Sequence, residues 1–589
     1  GEKRNSRVGN RHQPMAILTH DWNISPKSVL KTAVSYQAGR DGTTALDWFD
    51  ARDPRPDFYR RLPSYIASTS SPTTAGQVEE ILRNDPDLLQ VNWDNMYEVN
   101  RHSFRTIEDA DGIQGNTVSG NFSRYIVEDR RFDSKKANFY TKFQQELNQN
   151  WSLQSGLSYQ WYQGRRYKVV DDLLGGDFYV NLDRFAERDF PGNDDAQQID
   201  LNNPNQILRE GDIFGYNYDA DIHKAEAWLQ GQFRYGPFEG FVAGDLSSTR
   251  FWLTGRFRNG KFPDDSFGEG EKQSFINYGT KAGLTYIING RNYLFANGSY
   301  RTRAPFFRNS YVSPRTRHQL APNLKSMSIA STEGGYILRS PDYKARIVAY
   351  YTRFEDDIRA ISFYHDEQRT FVNYIVNGID TEHKGIEVAL EAKLFPGLNA
   401  KAVASIGQHQ HISRPTATVS QDNTAALLEE QQTLYLNNFF VSNGPQSAYN
   451  LGLAYQPGNW WTFWVDLSYF HRSWVSPNPV RRTEAAVSLD PTGIDKVDYQ
   501  SELWNDILAQ EELDGFFMLD ISTRKSFKWG DYYLACNLGV SNLLNNQSYI
   551  TSGYEQLRFD FEGKDVNRFP ARYFNGFGIN YFLNLSLSF

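Results

Sequence analysis

Apolar and polar residues alternate with a period of two along most of this chain. Toward its end Phe577, Ile579, Tyr581, Leu583, Leu585, Leu587 and Phe589 share one face, and Asn580, Asn584, Ser586 and Ser588 fill most places between. Trp461, Phe463, Val465, Leu467 and Tyr469 likewise oppose Thr462, Asp466 and Ser468. The same pattern recurs at 153–161, 225–235, 343–351 and 445–456. Period two is that of a β-strand, whose successive side chains point to opposite faces. The polar faces carry Lys31, Glu226, Arg234, Lys281, Lys344, Arg346, Lys401 and Asp466. Alternation alone leaves a soluble sandwich and a membrane barrel open. The sandwich hides its apolar face; the barrel gives that face to lipid and wets the other.

Three features favour the barrel. Connections come in two kinds. Short turns are expected near residues 23–26, 148–150, 235–237, 289–291, 340–342, 395–397, 456–459 and 528–531. Between them lie long polar stretches at 38–132, 164–222, 410–444, 474–514 and 544–572, with shorter loops near 258–272, 304–325 and 358–381. Outer-membrane barrels show this asymmetry, with tight periplasmic turns and long extracellular loops. Rings also cluster at strand ends: Trp460, Trp461 and Trp464 at one end, Tyr469, Phe470 and Trp474 at the other. Amphipathic rings prefer the two membrane–water boundaries. Finally, the chain ends on a strand with an aromatic residue, Phe589, which resembles the terminal signal read by outer-membrane assembly machinery. Eight turns joining paired strands, plus a terminal strand at about 573–589, give about 17 strands. A closed barrel with both termini in the periplasm needs an even number. The chain, residues 1–589, is therefore expected to be the C-terminal part of a larger barrel whose first strands and plug lie elsewhere.

Composition narrows the class further. With 35 Tyr, 40 Phe and 13 Trp among 589 residues, yet a mean hydropathy of −0.61, the chain is ring-rich and polar together. It has no run of about 18 apolar residues, which excludes helical spans. One cysteine, Cys536, excludes a disulfide scaffold. A net charge of −8 without a basic tract argues against nucleic acid.

A family resemblance appears in the motifs. The run Ser541–Asp560, SNLLNNQSYITSGYEQLRFD, and the run Arg572–Phe589, RYFNGFGINYFLNLSLSF, resemble the end of TonB-dependent outer-membrane receptors of the Bacteroidota type, which carry a carboxypeptidase-like regulatory domain. Gly1–Trp22, Leu46–Tyr65 and Asn459–Glu484 resemble the same family's barrel. The resemblance implies a barrel of about 22 strands around a plug. It also implies a bacterial outer-membrane, multi-pass location, ligand capture at extracellular loops, and import driven by the TonB-ExbB-ExbD motor. Outer-membrane lipid, lipopolysaccharide and a surface lipoprotein or other complex subunits are the implied partners. No plug, TonB box or regulatory domain is seen within these residues. Two alternatives remain: a non-transporting, receptor-like barrel that serves as a scaffold subunit of a surface complex, and a passive porin.

No catalytic constellation is visible, so the chain reads as a transporter without a cofactor rather than an enzyme. Cys536 alternates with Leu534 and Leu538 on the apolar face, and no G-x-S-x-G elbow exists. His409 and His411 share a face, which offers two metal ligands without a third nearby. Asn217, Asp219 and Asp221 begin like a calcium loop, but Ile222 stands where the sharp turn needs glycine. No metal site is expected. The 38–132 loop holds the ligand candidates: Trp48, Arg52, Arg55, Tyr59, Arg60 and Arg61, with Phe49 and Phe58 among them. Rings interleaved with guanidinium groups suit stacking and bidentate capture of carboxylates, phosphates or sugars. Arg481 and Arg482 are candidates for lipopolysaccharide phosphates at an outer rim.

Overall fold

The computed structural model describes residues 4–365, 370–442, 444–490 and 493–588. Phe589, the candidate assembly signal, lies outside the described residues. Among them, one sheet of 21 strands dominates. Seventeen of these pair with their chain neighbours in unbroken antiparallel order from Met15–Ser25 to Asn580–Ser588. The other four are short extensions: Gly9–His12, Gly268–Glu269, Thr416–Gln421 and Leu427–Thr433.

All eight expected short turns are present at one end of the sheet. Their side chains explain why the chain reverses there. Asn148 Oδ1 accepts from the backbone N–H groups of Asn150 and Trp151 at 2.8 and 2.9 Å. Asn289 does the same for Arg291 and Asn292 at 3.0 and 3.1 Å. Such Asx turns close a hairpin without help from distant packing. Gly236, at φ +53° between Tyr235 and Pro237, fits a backbone region that other residues rarely adopt.

Register holds the two faces apart. Val34 stands opposite Phe139, Phe139 opposite Tyr159, Tyr159 opposite Ala225, Ala225 opposite Ser248 and Ser248 opposite Ile276. On the other face Lys344, Glu391, Lys401, Gly452, Asp466 and Asp520 form one row. Within it Lys344 pairs with Glu391 at 3.1 Å and Lys401 with Asp466 at 2.9 Å. A slip of one residue would exchange these rows, so the burial of each face fixes the pairing. Ile276 is 76% exposed and Leu229 53% exposed on the apolar face. So large an apolar surface matches a lipid-facing band.

Many strands are far taller than a bilayer requires. Tyr125–Glu146 and Trp151–Asp172 have 22 residues each, and Thr370–Phe395 has 26, against about 9–11 needed to cross. The ladder therefore continues through 39–48 and 125–132, within the stretch read as loop from sequence, and through most of 358–381. From Arg130 to Lys136 charged residues stand on both faces, with Phe132 and Ser134 among them, and there the period-two signal vanishes while the hydrogen-bond ladder persists.

The terminal strand is shorter than its sequence pattern. Arg572–Asn575 pairs with Ile550–Tyr554 in a separate sheet, and the wall resumes at Asn580. Between them Asn542, the first residue of the NLLN element, is buried and ties the loop shut. It donates to the carbonyls of Asn546 at 2.7 Å and Phe577 at 3.0 Å, and its N–H reaches Asp520 at 2.8 Å. Met15–Ser25 and Asn580–Ser588 are exposed at every residue, and no ladder joins them among the described residues.

Candidate functional site

Above the wall the connection from Trp48 to Tyr125 folds into three helices, Pro63–Thr69, Pro72–Asn84 and Trp93–Arg101, and a hairpin of Phe104–Ile107 with Val118–Asn121. Pro63 and Pro72 open their helices where a missing N–H costs nothing. Ser71 caps the second through Thr74 N–H at 3.1 Å, and Asn92 the third through Asn95 N–H at 3.0 Å. Fully buried Asn100 fastens the layer to the wall top, donating to the carbonyls of Tyr125 and Leu173 at 2.8 and 2.9 Å.

Residues 48–61 have little regular structure, and they form one side of a cavity of about 1320 Å³. Trp48, Arg52, Arg55, Tyr59 and Arg60 line it. Arg61 does not: its guanidinium donates to the Asp53 carbonyl at 2.5 Å and lies over Phe58. The opposite sides come from chain segments that the sequence pattern did not connect. Arg130 rises from the wall, Arg184 and Arg188 from the second long loop, Tyr364 and Phe371 from a tall hairpin, and Arg558 from the last loop. Arg184 and Arg188 share the helix Arg184–Asp189 at a spacing of one turn, a signal that was legible in sequence. No local signal marks Arg558, some 500 residues from Arg52 in the chain.

The rings hold the arginines. Arg55 and Arg184 both lie over the Trp48 ring, at 5.2 and 5.4 Å. Arg184 and Arg188 cover Phe185 at 4.9 and 5.8 Å. Arg558 covers Tyr59 at 4.3 Å, with Arg60 at 5.5 Å. A guanidinium stacked on a ring keeps its N–H edge free to bond outward.

Beneath the cavity stands a buried ionic group on three neighbouring strands. Lys168 reaches Asp47 at 3.0 Å and Glu128 at 2.6 Å, while Arg184 reaches Asp47 at 3.3 Å and Arg130 bonds Glu128. Asp47 is 19 positions above the short turn at Ser28, beyond the membrane-crossing part of its strand. Burial pushes the Asp47 carboxyl up, but Lys168 and Arg184 outweigh it and hold it below the usual range. Glu128 is fully buried, and that burial, with Asp47 beside it, raises its pKa despite Lys168.

The other sequence candidates have other roles. Asn217, Asp219 and Asp221 lie on the wall strand Ile213–Tyr235 and bond Arg165 at 3.0 Å, Arg256 at 2.5 Å and Gln163 at 3.1 Å. Arg482 is not at a rim: it is fully buried, paired with Glu555 at 2.7 Å and bonded to the Ala509 carbonyl. Arg481 bonds the Ile507 carbonyl at 2.6 Å, so both arginines fasten loops rather than face lipopolysaccharide. His409 stands opposite His383, their rings 4.8 Å apart, an imidazole the sequence spacing did not reveal. Among the described residues, no group of three or more His, Cys, Asp or Glu is placed to hold a metal ion.

A wall with one apolar and one charged face, short turns below and a loop-built cavity above, has the architecture of a transmembrane β-barrel with a folded outer layer. The TonB dependent receptor-like β-barrel model matches residues 3–543, and the chain belongs to that family. Among solved structures it is similar to the copper transporter OprC, with 10% identity, 99% of this chain and 66% of that one covered, and a TM-score of 0.53. It is also similar to BauA, the ferric preacinetobactin receptor from Acinetobacter baumannii, at 9% identity, 98% and 63% coverage, and TM-score 0.51. The pyoverdine receptor FpvA from Pseudomonas aeruginosa PAO1 gives 12% identity, 99% and 62% coverage, and TM-score 0.51. These identities show the fold alone, and the chain spans slightly less than two thirds of those proteins. No curated protein matches the sequence.

Proposed function

We propose that this protein is a bacterial outer-membrane receptor that captures a ligand in the arginine-lined cavity and imports it with TonB-coupled energy. The observation that carries the reading is the cavity itself: arms from parts of the chain far apart in sequence converge above a wall of receptor-family fold. A merely structural rim needs no such convergence of cations on open space. The wall's two exposed edge strands support a further part of the reading, that additional strands close the seam and a plug fills the bore. The motif likeness at Ser541–Asp560 supports the Bacteroidota type.

Genetic epistasis tests import without knowing the ligand. Strains lacking the full-length receptor, the motor, or both are compared across nutrient-limited media. Receptor loss is expected to cost growth in at least one medium and to add nothing once the motor is gone. A receptor phenotype that persists undiminished without the motor would overturn transport.

A further inference from the structure

Resting on that reading, we propose that the cavity selects a ligand bearing several oxyanions, carboxylate or phosphate, over a neutral glycan. The argument begins with the rings. Sugar recognition by stacking needs open aromatic faces, and here Trp48, Phe185 and Tyr59 are each covered by two guanidinium groups. Tyr364 and Phe371 pack edge to face on one another at 5.6 Å, and Phe371 on Phe185 at 5.1 Å. Guanidinium groups, whose fork geometry matches oxyanions, thus dominate the polar lining, and of these Arg55, Arg130, Arg184 and Arg188 already hold carboxylates.

The charge balance points the same way. Eight arginines and four aspartates line the space, with no lysine or glutamate. Each aspartate is already engaged: Asp47 by Lys168 and Arg184, and Asp53 by Arg55 at 2.5 Å. Asp50 is held by Arg105 at 2.6 Å, and Asp57 by Arg572 at 2.6 Å, both arginines lying outside the cavity lining. Arg7 and Arg52 are exposed at the cavity and have no acidic partner among the described residues. A volume of about 1320 Å³ admits a ligand much larger than one ion, so several anionic groups can be met at once.

The test uses the full-length receptor in detergent and isothermal titration with three probes: trigalacturonate, inositol hexakisphosphate and neutral maltotriose. At least one oxyanion probe is expected to bind, and binding should weaken about tenfold or more between low and high salt. The double variant Arg7→Ser/Arg52→Ser removes two guanidiniums that hold no ion pair, so the fold is undisturbed; it should weaken binding at least about tenfold. Arg83→Ser, on the helix Pro72–Asn84 and outside the cavity lining, should change nothing. The carboxylate and phosphate arms tell the two oxyanions apart. Maltotriose binding as well as trigalacturonate, no probe binding, or unchanged affinity in the double variant would each overturn the oxyanion class. The epistasis result stands independently, so a receptor for another ligand remains distinguishable from no receptor.

Discussion

The lower wall and the outer layer of this molecule are held together by different means. Near the short turns the structure is one sheet thick, and its apolar side chains face outward. Above, six hydrophobic clusters pack between strand tops and loops, and their lowest members, such as Phe251, stand 13 positions above the nearest short turn. The lower half depends on lipid and on its hydrogen-bond ladder, as any membrane barrel must. The upper half depends on burial from water, as a soluble domain does. One chain thus answers to two solvents, and damage to one half should leave the other largely intact.

The largest effect is expected in the upper half. Phe178 is 2% exposed and packs in the cluster of Phe49, Phe122, Ile126 and Tyr179. Phe178→Ala should cost the outer layer about 3–5 kcal/mol. Limited proteolysis of the loop from Asp172 to Ile213 should quicken sharply, while the temperature at which the wall loses its folded gel mobility stays put. If both transitions moved together, the two halves would be one cooperative unit.

A smaller effect separates the two faces of the lower wall. Leu229, six positions above Tyr235, sits near mid-membrane on the apolar face, and Gln230 beside it faces the charged side. Leu229→Arg should destabilise the barrel in lipid vesicles by about 2–4 kcal/mol, and Gln230→Arg by close to none. Urea titration of the two variants reads the difference directly. Equal costs would mean that the alternation does not sort lipid from water.

That same alternation explains what could be read in advance. The wall, its turns and the sense of its faces follow from period two, because lipid on one side and water on the other leave a mark at every residue. The strand tops around Arg130 and Lys135 leave none, since water or protein polar groups meet both faces. The interleaved Trp48, Arg52, Arg55, Tyr59 and Arg60 stand together along one side of the cavity. Arg558 and Phe371 arrive through tertiary folding alone. The pairing of Trp48 with Arg55 is local and legible, whereas that of Tyr59 with Arg558 spans most of the chain.

The smallest effect lies where the halves meet, at Asp47, Glu128 and Lys168. Two carboxylates share one ammonium there, and their pKa values are driven apart. Asp47, lowered, contributes stability above the ordinary carboxylate range and keeps it until acid well below that range. Glu128, raised, works in the opposite sense: its contribution is complete below the ordinary range and is lost as pH rises through its folded pKa. Of these two groups only Glu128 changes its contribution above the ordinary carboxylate range, so this cluster should hold the outer layer less firmly as pH rises through the folded Glu128 pKa. Glu128→Gln fixes the neutral form, with an amide that can donate toward Asp47 and a carbonyl for Lys168. It should match wild type near pH 4 and exceed it at pH 8. Asp47→Asn should go the other way at neutral pH, because Lys168 and Arg184 then lose their shared counter-charge. Loop proteolysis rates measured from pH 4 to 8 in both variants decide it. A Glu128→Gln protein less stable than wild type at pH 8 would show that the ionised carboxylate, not the neutral acid, joins the outer layer to the wall.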